Sequence, residues 1–387
     1  MAAQVNNTAW LEWIAGLMGA ESRPTQTTTL PPAQFHCLLD QLPLHLIPQR
    51  HLKSVFIQNG ATLPLFLNPQ CALLPAGKLP AELQQNQDLV EKFCLHSTVA
   101  WVRDPGTQSL QPFWLGSQLQ KIVSEMRAGE PVPDSVPPRA RSVLSAAGIL
   151  IRENEIESRS QAWSDIVRER SSQFRDGGYA PLSNLIHPFN VAALRRYYRH
   201  EIRRGAIRLG DEQCSRRYVA HNESVARFFH HQMANAVSAI VGEAIRPSYV
   251  YFASYSSGAE LKKHVDRAQC EFSVTLSLDF SPEPHLATSW PIRLDMPTGT
   301  VAVYQALGDG LVYRGTRVPH YRNKLAEGRT STSIFFHYVP ADFSGPLEIG
   351  SRFSERLIAT PRSRKAPRGP GSNYRRGVNH RESQPRA

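Results

Sequence analysis

The sequence predicts an α+β protein in which helices precede an antiparallel β sandwich or barrel, and three features of the chain say so. Six short runs rich in β-branched and aromatic residues, at 249–252, 271–280, 292–296, 300–304, 311–313 and 330–339, are separated by Gly, Pro and Asp with no helical spacing between them. That is the pattern of antiparallel strands. Upstream, 192–204 and 224–241 carry apolar residues at helical spacing and stop at Gly205 and Gly242, as amphipathic helices do. The first 165 residues are irregular, rich in Leu and Pro, and without a repeat. At 387 residues the chain exceeds the usual single domain. The expected division is a mostly helical N-terminal accessory domain over 1–165, a second domain over 166–345 with helices at 166–245 and the barrel at 247–340, and a tail over 346–387.

Within the first segment, 83–94 and 119–127 have helical spacing, the latter closed by Gly129. Four prolines between 131 and 138 forbid a helix there. Residues 139–147 then read as a short helix closed by Gly148, followed by apolar Ile149, Leu150 and Ile151. Helix, tight turn and short strand suggest a small winged-helix-like module. The basic residues of 192–204 are expected to form a solvated face, and the helix at 224 has Asn222 or Ser224 available as its cap.

Composition excludes several functional classes. The net charge of +11 resembles a nucleic-acid signal until it is mapped. Residues 361–387 hold eight Lys/Arg against one acid, Glu382, and so account for most of the excess. A short Pro/Gly/Ser-rich basic tail is ordinarily solvated and disordered, so nucleic acid is not an expected partner. No apolar run approaches the roughly 20 residues of a membrane span, and no secretory signal is evident. The five cysteines are scattered and never form a CxxC pair, which argues against a disulfide framework and a zinc knuckle; the expected compartment is the cytoplasm. Nothing in the sequence sets an oligomeric state.

The chemistry centres on Leu261-Lys262-Lys263-His264-Val265-Asp266. Side chains alternate along a strand, so His264 and Asp266 point to one side and Val265 to the other. An imidazole and a carboxylate side by side are two legs of a facial triad. A second histidine from a neighbouring strand completes 2-His-1-carboxylate iron(II) coordination and leaves three positions open. His320 lies 54 positions after Asp266 and follows the turn and strand Gly308-Asp309-Gly310-Leu311-Val312-Tyr313-Arg314-Gly315, which can return the chain to the barrel mouth. Nine residues on, Arg329 follows the turn Ala326-Glu327-Gly328, and its strand alternates Arg329, Ser331, Ser333 and Phe335 on one face. A guanidinium fork with a hydroxyl beside it suits the distal carboxylate of 2-oxoglutarate.

Taken together, Tyr255-x-x-Gly258-x-x-Leu261-x-x-His264-x-Asp266, Gly310-Leu311-Val312-Tyr313, His320, Gly328 and Arg329-Thr330-Ser331 resemble the 2-oxoglutarate/iron(II) oxygenase superfamily in its prolyl-4-hydroxylase-like branch. The resemblance covers about a quarter of the chain closely. It implies a double-stranded β-helix (jelly-roll) barrel with supporting helices, iron(II) held by His264, Asp266 and His320, 2-oxoglutarate and dioxygen as co-substrates, succinate and carbon dioxide as products, and ascorbate as a candidate reductant. It also implies a co-substrate contact for Tyr255, which as a residue reads equally well as packed barrel tyrosine. Two positions depart from the collagen-type pattern: Arg329 stands where lysine is usual, and Leu261 where an aromatic is usual. Both bear on the identity of the substrate rather than on the reaction class.

Other histidines compete less well. His337 shares a face with Arg329 but has no arginine following at a suitable distance, so it reads as a barrel residue. His285 sits in a Pro-flanked loop and reads as a surface residue. His230 and His231, adjacent on a helix, diverge and read as one buried and one exposed. The expected activity is hydroxylation of a C–H bond, in a side chain of a peptide or protein or in a small metabolite. Asp266 disfavours halogenation. A non-catalytic barrel module and a cupin-type metalloenzyme without 2-oxoglutarate are the alternatives. Residues 1–165 then either recognise a substrate or cap the barrel mouth.

Overall fold

The computed structural model of the chain describes residues 31–56 and 64–347. The β-rich runs of the C-terminal half pair into two sheets, and every strand pairing is antiparallel. Reading along the chain, the N-terminal segment contributes β1 (Leu65–Leu67), β2 (Cys71–Leu74), β3 (Val99–Arg103), β4 (Leu110–Trp114) and β5 (Leu150–Arg152). The middle contributes β6 (Tyr179–Leu182), β7 (Arg208–Leu209) and β8 (Arg217–His221). The remainder are β9 (Ile245–Tyr255), β10 (Leu261–His264), β11 (Phe272–Ser281), β12 (Ile292–Met296), β13 (Gly299–Val303), β14 (Gly310–Arg314), β15 (His320–Arg322) and β16 (Thr330–Pro340). The large sheet runs β6-β14-β11-β16-β9-β8-β7 and the small one β10-β15-β12-β13. From β9 to β16 the chain therefore crosses between the two sheets at every step but one, since β12 and β13 are paired neighbours in the small sheet.

The helices are α1 (Gln49–Phe56), α2 (Ala81–Gln84), α3 (Ser117–Ser124), α4 (Pro138–Ala146), α5 (Glu155–Gly177), α6 (Pro188–Arg203) and α7 (Ser224–Val241). In α6, Pro188 occupies the first turn, where its missing N–H is harmless, and the His187 side chain accepts from Phe189 N at 3.2 Å. Gly205, at φ 76°, takes the left-handed turn that ends it. The cap of α7 is neither Asn222 nor Ser224 but Glu223, whose carboxylate accepts from Ala226 N at 3.1 Å. Glu223 also accepts from the Tyr197 and Tyr198 hydroxyls of α6, so tertiary partners fix its position.

Four further expectations are corrected. Residues 166–245 are not all helical: β6, β7 and β8 extend the large sheet. The Pro181 of β6 concealed the first of these, and it is tolerated because β6 is an edge strand. The described part of 1–165 is not mostly helical either. It contains the three-stranded sheet β2-β3-β4 and the pair β1-β5. The helix expected over 83–94 breaks into α2 and a 3-10 turn at Gln87–Val90, because Phe35 captures the backbone of Lys92 and Cys94. Finally, the basic face of α6 is not all solvated: Arg195 is 1% exposed and is ion-paired to Asp279 and Glu283, and Arg199 is bound to Asp279. The turn expected around Gly148 is present, with φ 71°, between α4 and β5. Apart from its first two residues, the basic tail lies outside the described residues.

One hydrophobic cluster joins these parts. It takes in Phe35, Trp101 and Trp114 from the N-terminal segment, Phe189, Leu194 and Phe228 from α6 and α7, and Val250, Val274 and Phe336 from the outer face of the large sheet. Position 165 falls inside α5, which packs on β6 and α7. Ties between the N-terminal segment and the rest include the Arg50–Asp309 ion pair at 2.6 Å and the Arg195 bond to the Leu46 carbonyl at 2.5 Å. Among the described residues no helix is long and apolar enough to cross a membrane.

Candidate metal centre

The pairing of β10 with β15 sets His264 directly opposite His320. Their ring centroids are 4.4 Å apart. Asp266 lies just past the end of β10 on the same side, while Val265 between them is 48% exposed, as alternation requires. Asp266 Oδ1 is 3.6 Å from His264 Nε2 and 3.5 Å from His320 Nε2. Neighbouring donors around an octahedral ion with bonds of about 2.1 Å would be roughly 3 Å apart, about half an ångström closer than these two pairs, and all three donor atoms lie within 4.8 Å of one another.

The imidazoles are already oriented for a metal. His264 Nδ1 donates to the Lys262 carbonyl at 2.8 Å, and His320 Nδ1 to the Val318 carbonyl at 2.9 Å. Committing both Nδ1–H groups to backbone oxygens leaves both Nε2 lone pairs facing Asp266, the orientation in which ligating histidines are held. Burial disfavours the charged carboxylate of Asp266. In the metal-free protein a proton on His320 Nε2, which a metal would displace, together with His337 and the Ser273 hydroxyl, outweighs it and holds the pKa at about 2. The His264 pKa is lowered, first by burial and then by the charge of His320, so its ring is available as a neutral donor.

Support for Asp266 comes from residues that the sequence reading missed. Ser273, fully buried on β11, donates to Asp266 Oδ2 at 2.8 Å and sits 2.9 Å from His337 Nδ1. His337, buried on β16, therefore braces the carboxylate through Ser273. Gly315 passes so close that a Cβ there would run into the Cys270 carbonyl and Asp266 Oδ2, and its own carbonyl accepts from Asp266 N at 2.8 Å. The signal for Ser273 was present in β11, where Ser273, Thr275 and Ser277 alternate with Val274, Leu276 and Leu278; the face that carries Ser273 is turned towards Asp266.

The remaining candidates are placed as follows. Tyr255 is buried on β9, with its ring 5.1 Å from that of Trp290; its hydroxyl accepts from Arg217 Nη1 at 3.0 Å and keeps its own proton to donate. Ser331 is buried and lies opposite both Tyr255 and Phe280 in the sheet. Arg329 is half-buried just before β16, with its guanidinium carbon 6.0 Å from the Phe280 ring centroid and no ion pair among the described residues. His285 is exposed; of the α7 pair, His230 is buried and His231 exposed.

No family model matches the chain, and no curated protein matches it. Solved structures do. A prolyl-4-hydroxylase from Pseudomonas putida is 18% identical, with a TM-score of 0.36 over 44% of this chain and 98% of that one. HygX from Streptomyces hygroscopicus, solved with nickel and 2-oxoglutarate, is 15% identical, with a TM-score of 0.36 over 46% of this chain and 88% of that one. The nogalamycin epimerase SnoN, solved with Fe3+, alpha ketoglutarate and nogalamycin RO, is 12% identical, with a TM-score of 0.41 over 54% of this chain and 95% of that one. At these identities and scores the assignment is left to the side-chain geometry.

Proposed function

We propose that this chain is an iron(II)- and 2-oxoglutarate-dependent oxygenase built on a double-stranded β-helix, with His264, Asp266 and His320 as the metal ligands. The observation that carries this reading is the convergence of two Nε2 atoms on one carboxylate oxygen while both Nδ1 atoms are committed to carbonyls. The repeated crossing of β9 to β16 between two antiparallel sheets supports the fold assignment.

When bound, the metal with dioxygen supplies the oxidising chemistry that couples decarboxylation of 2-oxoglutarate to oxidation of a substrate C–H bond. The chain's own part is orientation. Three ligands on one side leave the opposite side open to co-substrate. Ser273 fixes the unused oxygen of Asp266, and Arg329 with Ser331 and the Tyr255 hydroxyl are the proposed contacts to 2-oxoglutarate. His264 is the more exposed of the two histidines, its side chain 29% accessible against 4% for His320, so substrate is read as arriving from its side. The substrate is a side chain of a peptide or protein, or a small metabolite, and the product its alcohol.

Anaerobic titration is expected to give one Fe(II) per chain. Incubation in air with Fe(II), ascorbate and 2-oxoglutarate is expected to release succinate. His264→Ala and Asp266→Ala should lose both properties and keep the wild-type circular dichroism. Full iron binding and turnover in His264→Ala would sink the assignment.

A further inference from the structure

Three arginines of the described residues are almost wholly buried: Arg195, Arg217 and Arg322, at 1%, 3% and 4% exposure. Arg195 is ion-paired to Asp279 and Glu283, and Arg217 to Asp211. Arg322 has no carboxylate partner among the described residues. Its Nη1 donates to the Trp290 carbonyl at 2.7 Å, its guanidinium carbon lies 4.8 Å from the Trp290 ring centroid, and its Nε has no hydrogen-bond partner. A guanidinium taken out of water without a counter-ion is unfavourable. Such a group is retained where something else brings the negative charge.

Its place in the barrel says what that is. Arg322 is two residues after His320 on β15, so both side chains leave the strand on one side, about 6.6 Å apart along it. The distal carboxylate of 2-oxoglutarate is likewise set back from its metal-chelating keto-acid end, by two methylenes. Two cations also approach one position from different strands. Arg322 lies against Trp290, whose ring is 5.1 Å from that of Tyr255, and Arg329 sits by Phe280. Tyr255 and Phe280 both lie opposite Ser331. Like charges around one serine call for an anion between them.

We propose that Arg322, together with Arg329, receives the distal carboxylate of 2-oxoglutarate, making the barrel interior selective for a 2-oxo dicarboxylate over a 2-oxo monocarboxylate. This rests on the oxygenase reading above and adds a positioning residue to it. The sequence pattern did not single out Arg322, because nothing local distinguishes it from the other arginines.

The test is calorimetric titration of Mn(II)-loaded protein, without oxygen, with 2-oxoglutarate and with 2-oxopentanoate, which has the same carbon chain and no distal carboxylate. Wild type should prefer 2-oxoglutarate by at least a hundredfold. Arg322→Met should cut that preference at least tenfold, leave Mn(II) affinity and 2-oxopentanoate binding within twofold, and show no loss of thermal midpoint without ligand, since it removes an uncompensated buried charge. Arg322→Lys, which keeps the charge, should recover part of the preference and provides the same comparison if the methionine variant does not fold. An undiminished preference in both variants overturns the role of Arg322 and leaves the oxygenase reading standing. Wild type that binds Mn(II) but neither 2-oxo acid overturns the oxygenase reading itself.

Discussion

Replacing Ser273 with alanine probes the proposed metal site without touching a proposed ligand. Its hydroxyl is fully buried and donates to Asp266 Oδ2 at 2.8 Å, and that carboxylate is ionised at neutral pH, its pKa held at about 2. A hydrogen bond to a charged acceptor contributes about 1.5–3 kcal/mol. Not all of this enters metal affinity. A free Asp266 can turn to recover part of the loss, whereas one binding metal must keep Oδ1 towards the ion and leave Oδ2 unpaired. The lower half of the range, roughly a tenfold to thirtyfold weaker Mn(II) affinity, is therefore expected, in line with the effect of removing groups that orient ligands. The His337 ring loses the same partner, at 2.9 Å, so the metal-free protein should also unfold at a lower temperature. Titration with Mn(II) followed by electron paramagnetic resonance separates the two effects. Ser277→Ala is the control: it removes a hydroxyl from the same buried face of β11, opposite Ser333 rather than His337, and should leave affinity unchanged. Mn(II) affinity within twofold of wild type in Ser273→Ala, or an equal loss in Ser277→Ala, would refute the reasoning.

Other perturbations bear on neighbouring parts of the structure. Arg329→Ala should raise the Michaelis constant for 2-oxoglutarate by roughly thirtyfold, about 2 kcal/mol, the lower end for a charge partner because Arg329 is only half-buried; an unchanged constant in succinate-release assays would remove it from the site. Gly315→Ala forces apart the Cys270 carbonyl and Asp266, so thermal unfolding should show a loss of about 1–3 kcal/mol together with weakened metal binding, and wild-type behaviour in both would show that the close approach is dispensable. Burial would raise the Asp279 pKa, but Arg195 and Arg199 lower it overall. Its stabilising contribution is therefore complete above its unfolded value of about 3.9 and is lost as pH falls through the lower folded value. Asp279→Asn should cost about 3 kcal/mol at neutral pH, since Arg195 keeps Glu283, and should flatten the acid limb of a urea-unfolding series; an acid limb as steep as wild type would mean other carboxylates govern it.

The sequence alone determined what depends on neighbours along the chain. The period of two puts His264 and Asp266 on one side of a strand and exposes Val265. The Gly-bounded helices α6 and α7 and most strands of the C-terminal half were likewise legible, because period and turn chemistry are local. Tertiary structure decided the rest. Only the pairing of β10 with β15 sets His320 opposite His264. Only the cover of helices and N-terminal segment over the large sheet makes Val274, Leu276 and Leu278 face outward into a core and Ser273 face inward, the reverse of a sheet with one wet face. The same cover buries Arg195 on a helix whose sequence reads as a solvated basic face. It could not be foreseen because the segment supplying it has no long periodic pattern, and its short strands are held by partners far along the chain. Whether a buried guanidinium meets a carboxylate, as Arg195 and Arg217 do, or a carbonyl and an indole ring, as Arg322 does, is a property of what packs around it.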